Sequence, residues 1–148
     1  MKIRTSGTLV RLSLGALLAT AACRRPAGPL PGAPTPRAAV EQFMGAVRAQ
    51  DLQAMSIVWG TTKGAARDQI DRTELERREL LMMCYLSHDR FQVQGEQTTV
   101  ADRHTLAVSV TRGRLTRTTS FTTVTGPSSR WYVEDVDLTH MQDFCSQR

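Results

Sequence analysis

The hydrophobic pattern changes period near residue 90, and that change limits the fold more than any other feature. Before it, Ala39, Val40, Phe43, Met44 and Val47 recur at three- and four-residue steps, the apolar stripe of one helix. Thr35 is a capping residue and Pro36 suits a first helical position, so that helix starts there. Gln50 breaks the stripe. Asp51 then caps a short second helix carrying Leu52, Met55, Ile57, Val58 and Trp59. "GTTKGA" reads as a loop, and a third helix is expected from about Ala65 to Leu86. Ile70, Leu80, Leu81, Met83 and Cys84 mark its buried side. In "RDQIDRTELERRE" the arginines interleave with acids, which reads as a solvated helix face.

Beyond that point, Phe91 and Val93 alternate with glutamines. Residues 98–101, 105–111, 115–125 and 130–138 read as strands. Leu106, Val108 and Val110 share one face, and the many threonines suit half-exposed β positions. "TGPSSR" supplies a turn before the last strand. There Trp131 and Val133 share one parity while Val136 and Leu138 share the other, which predicts a bulge near Glu134 and Asp135. Helices followed by hairpin-linked strands make an α+β fold, with N-terminal helices packed on a curved antiparallel sheet.

The N-terminus carries an export signal. Lys2, Arg4 and Arg11 give positive charge, residues 12–22 are apolar or small and uncharged, and Cys23 follows. Eleven residues of helix reach about half of a roughly 30 Å hydrocarbon core, too little for a permanent span. "ATAAC", ending at Cys23, resembles the lipobox of bacterial lipoproteins, with Thr20 where leucine is common. The resemblance implies cleavage before Cys23, a lipid anchor on its sulfur, and membrane attachment in the cell envelope. The alternative is an ordinary secretory signal with a chance cysteine. Arg24 stands where an inner-membrane retention aspartate would, so the resemblance implies the outer membrane, facing the periplasm. The division expected is a signal peptide over 1–22, a proline-rich tether over 23–34 and one domain over 35–148. "RRPAGPLPGAPTP" favours an extended, solvated conformation.

All fourteen acidic residues follow Cys23 while three of the nineteen basic ones precede it, so processing lowers the formal charge from +5 to +2. That near-balance, without clustered arginines, argues against nucleic acid as a partner. Cys84 and Cys145 remain as an even pair in an exported chain, which points to a disulfide. Two independent thiols or a metal site are the alternatives, and neither cysteine has His or Cys at zinc-finger spacing.

"TPRAAVEQFMGAVRAQDLQAMSIVW" resembles the first two helices of the nuclear transport factor 2-like superfamily, of cystatin-like fold, and "RWYVEDVDL" resembles its closing strand. The likeness covers about residues 35–138. It implies a cone of helices and sheet whose interior is where a ligand would sit. Enzymes of the superfamily place Asp, His or Tyr in that cone, which makes His88, Asp89, Asp102, His104, Tyr85 and Asp135 the positions to inspect. His104 shares the parity of Leu106 and Val108 and is, with Asp135, the candidate acid/base group. The plainer reading puts His88 and Asp89 at the end of the third helix, His104 in a turn and His140 in an exposed tail. Met82 and Met83 read as core filling, as do Trp59 and Trp131, for which a pocket lining or a partner surface is the alternative. No phosphate loop, nucleophile elbow or paired metal ligands occur, and no cofactor is called for. Two functions remain: a membrane-tethered, non-catalytic module for an envelope protein partner or a small apolar ligand, or a small envelope enzyme or ligand carrier using the cone.

Overall fold

A computed structural model describes residues 30–146. The signal segment, the lipidation candidate Cys23 and the first part of the proline-rich stretch lie outside the described residues.

Helix α1 (Pro36–Ala49) begins where its cap predicts: Thr35 Oγ1 accepts from the Ala38 amide at 3.1 Å. Its expected stripe, Ala39, Val40, Phe43, Met44 and Val47, is buried. The helix stops at Gln50, which takes a left-handed conformation (φ 55°). Asp51 then caps α2 (Leu52–Val58), its Oδ1 accepting from the Ala54 amide at 3.0 Å. Strands β1 (Gly60–Thr61) and β2 (Gly64–Ala65) form a small hairpin. A Cβ at Gly60 would meet the Gly64 carbonyl oxygen at 2.2 Å, so only glycine closes this turn.

Helix α3 (Arg72–Tyr85) begins later than Ala65, because Asp71 is the residue whose carboxylate accepts from the Thr73 and Glu74 amides. Its buried side also differs from the expectation. Leu75, Glu79, Met82 and Leu86 face inward at helical spacing, whereas Leu80 and Leu81 are 51% and 54% exposed. The expected stripe followed apolar identity. The actual one places a carboxyl, Glu79, where the run of charges predicted a solvated face.

The sheet has the order β3-β4-β5-β6, all antiparallel: β3 (Arg90–Val100), β4 (Arg103–Arg112), β5 (Leu115–Thr125) and β6 (Trp131–Val136). The two short stretches expected between residues 91 and 101 are one strand. Bulges at Gln94, Thr99 and Glu134 bend the sheet, the last at the predicted place. Because Glu134 is the extra residue, Val133 pairs with Thr123 and Val136 with Phe121, and both valines reach the inner face. The architecture is α+β, helices on one face of a curved antiparallel sheet.

Two additions were not legible in advance. Gly32 and Ala33 are built into the fold: the Gly32 amide bonds the Ile57 carbonyl at 2.9 Å, and Ala33 exchanges two bonds with Trp131 along the outer edge of β6. Met141 and Phe144, which flank and belong to the short α4 (Gln142–Ser146), are fully buried.

On the outer face, Arg103 meets Glu134 in a bidentate pair, at 2.7 and 2.8 Å, across β5. Both side chains remain partly solvated. A double-mutant cycle with Arg103→Gln and Glu134→Gln is expected to return about 0.5–1 kcal/mol of coupling, read from urea unfolding.

Candidate functional site

The space between helices and sheet is occupied by side chains. Phe43 meets Phe121 edge to face, centroids 6.0 Å apart. Met44 and Met55 from the helices, Leu106, Val108 and Val110 from β4, and Met141 and Phe144 from the C-terminal turn join the same buried cluster.

At one end of this inner face stands His104, in β4 and not in a turn, on the same face as Leu106 and Val108. Its Nδ1 donates to Glu96 Oε1 at 2.6 Å, and its ring lies edge-on to Trp131 at 4.8 Å. The carboxylate holds the imidazole in one tautomer, as in the orienting half of a catalytic triad. Among the described residues no hydroxyl or thiol is hydrogen-bonded to that imidazole. Asp135 is not its partner: the Glu134 bulge pairs Asp135 with Thr122 and leaves it exposed on the other face. Asp102 lies in the β3–β4 turn, where its carbonyl accepts from the Thr125 amide. Tyr85 is half-buried against the core and His140 is exposed. Glu96 escaped the sequence reading because only the bulged register of the β3–β4 hairpin brings it diagonally beside His104.

The other end of the domain gathers more. Cys84 and Cys145 are disulfide-bonded, Cα atoms 4.8 Å apart, which ties the end of α3 to α4. Cys84 sits opposite the buried stripe of α3, so the bond lies on the helix's outward side, between Leu80 and Leu81. An apolar groove of about 730 Å³ runs along Leu80, Leu81 and the disulfide, with Glu74, Arg77 and Arg78 along it. Glu74 pairs with both arginines, at 2.8 and 2.6 Å.

Beyond Leu80 a second cleft, of about 330 Å³, is walled by Met83 and the disulfide and lined by Arg48, Arg112 and His88. Arg112 is engaged, its Nη1 donating to the Phe144 carbonyl. His88 does lie at the end of α3, but it is buried, and its Nδ1 donates to the Leu86 carbonyl at 2.8 Å. Asp89 serves another element, accepting from the Gly113 amide at 2.7 Å and so fixing the β4–β5 turn. The His88 ring stands edge-on to Phe91, and its Nε2 is buried without a partner among the described residues. Burial lowers the His88 pKa and the positive charge of Arg48 adds to this, outweighing the Leu86 bond. Within α3, burial pushes the Glu79 carboxyl up to about 7, with the charge of Glu76 adding to the shift.

No protein-family model matches the chain, and no curated protein matches it. Among solved structures it is similar to an NTF-2 like protein of unknown function from Shewanella oneidensis MR-1. The two share 13% identity at a TM-score of 0.41, over 66% of this chain and 90% of that one.

Proposed function

We propose that the chain is a cell-envelope lipoprotein, held to the outer membrane through Cys23 and facing the periplasm, whose folded domain is a non-catalytic interaction module. The lipobox resemblance supports the anchor, and the Cys84–Cys145 bond suits an oxidising compartment. The packed interior between helices and sheet favours a surface role over chemistry inside the cone. The observation that carries the reading is the exposed pair Leu80 and Leu81, set over an apolar groove on a helix tied down by a disulfide. Arg77 and Arg78 share a single acid, Glu74, so the groove is net positive. Its partner is an envelope protein segment that combines apolar and acidic side chains.

A photoreactive residue at position 81 of the full chain, in living bacteria, tests this. One protein adduct is expected, mapping to an acidic and apolar segment, lost in Leu80→Asp and absent from a control at Gln92. Adducts only to lipid, or equal labelling at both positions, overturn the docking reading. Separately, Cys23→Ser is expected to move the chain from the membrane to the soluble fraction. Retention in the membrane overturns the anchor.

A further inference from the structure

Residues 31–33 are strapped to the edge of the sheet. The Arg130 guanidinium donates to the Pro31 carbonyl at 3.2 Å and to the Gly32 carbonyl at 2.6 Å. These bonds lie next to the Ala33–Trp131 pair and the Gly32–Ile57 bond. Gly32 takes φ 73°, and a Cβ there would lie 2.8 Å from Tyr132 Cζ, so the strap requires glycine. The fold's hold on the chain therefore extends back to Pro31. Only residues 24–29 stand between Leu30 and Cys23, and seven Cα steps reach at most about 25 Å. With Cys23 lipidated, Leu30 stays within that reach of the lipid surface.

The surface beside Leu30 suits a headgroup layer. Leu30 is 71% exposed. With Pro31, Pro127, Lys63 and Arg130 it borders one depression, of about 190 Å³. The only acid in that lining, Asp68, lies 3.7 Å from Arg67. The connection to Cys23 adds Arg24 and Arg25 and no acid. Basic groups so close to an anchored chain are drawn to anionic headgroups. The disulfide is remote from this face. Strand β4 begins at Arg103, opposite Val124, which pairs in turn with Tyr132 of β6. It ends at Arg112, which lines the cleft at the disulfide. Nine strand steps separate the two ends by about 30 Å.

We propose that the face around Leu30, Lys63 and Arg130 rests on the membrane, against anionic lipid headgroups, and turns the Leu80–Leu81 groove away from it. This orientation rests on the lipid anchor at Cys23 and specifies which side of the domain the anchor holds down.

The test uses the full chain, purified in detergent from bacterial membranes and returned to vesicles of phosphatidylethanolamine and phosphatidylglycerol with nitroxide-labelled headgroups. A fluorescent amino acid replaces either Thr62, in the β1–β2 turn, or Arg114, in the β4–β5 turn, both exposed. Quenching at position 62 is expected to be severalfold stronger than at position 114. Lys63→Glu, at an exposed position, is expected to cut the quenching at position 62 by roughly half or more. Equal quenching at the two positions, stronger quenching at 114, none at either, or an unaffected Lys63→Glu variant each overturns the orientation. Flotation of the same samples separates this from the anchor. A chain that does not float with the vesicles refutes the anchor and the orientation together. A chain that floats without the expected difference between positions overturns the orientation alone.

Discussion

The double variant Cys84→Ser/Cys145→Ser is expected to be less stable than the native chain by about 4 kcal/mol. The bond closes a loop across a sequence separation of 61 residues, which contains the last part of α3 and all of the four-stranded sheet. On the chain-entropy model, opening so long a loop restores a large share of the unfolded chain's freedom. The folded side loses as well. α4 is only five residues long and stays in place through the disulfide, the buried Met141 and Phe144, and the Arg112 contact with the Phe144 carbonyl. Urea unfolding of both forms, with the midpoint and slope compared, reads the difference. A loss below about 1 kcal/mol would mean that the packing of Phe144 alone holds the C-terminal turn.

Glu79→Gln is expected to stabilise the domain at pH 8 and to do little at pH 4. The Glu79 carboxyl is buried in the inward stripe of α3, one oxygen without a partner among the described residues, and burial raises its pKa to about 7. In the unfolded chain the same group titrates near its ordinary value, about 4.3. Between these two values the folded state keeps a proton that the unfolded state has lost, so stability falls as pH rises through that window. Below pH 4 both states are protonated and nothing is lost. Above pH 7 the whole cost is present, about 3–4 kcal/mol. The amide has nearly the same shape and no charge to bury, so the variant's melting temperature at pH 8 should exceed the native one by roughly 10 °C. His88 acts in the opposite sense. Its lowered pKa means that stability is lost as pH drops below about 6.5, where the unfolded histidine takes up a proton that the folded one resists. Melting curves from pH 4 to 8 check both slopes, and a native profile that is flat between pH 5 and 8 while Glu79→Gln changes nothing would refute the assignment to Glu79.

Where local chemistry dictates structure, the sequence was readable. Thr35 and Asp51 cap the helices they were expected to cap, the α1 stripe is buried residue for residue, and the change of parity between Val133 and Val136 located a bulge. Each of these depends on contacts a few residues apart, so propensity and spacing carry the information. The division into helices first and antiparallel strands afterwards follows from the same kind of signal, and with it the α+β class.

The candidate sites were less legible, because they depend on how elements pack. Nothing local tells α3 to turn Glu79 inward and Leu80 and Leu81 outward. That rotation is set by what α3 rests on, α2 on one side and the C-terminal turn on the other. Glu96 meets His104 only because the bulge at Thr99 fixes the register of this part of β3 on β4. The cleft at His88 is assembled from the end of α1, the end of α3, the end of β4 and Cys145, places far apart in the chain. The sequence by itself determined that helices come first and antiparallel strands after, where the first two helices are capped, and that an even pair of cysteines follows residue 80, since each is written in neighbouring residues. Only the tertiary structure decided which faces are covered and which polar groups are buried without partners, because burial is a property of the whole packed chain.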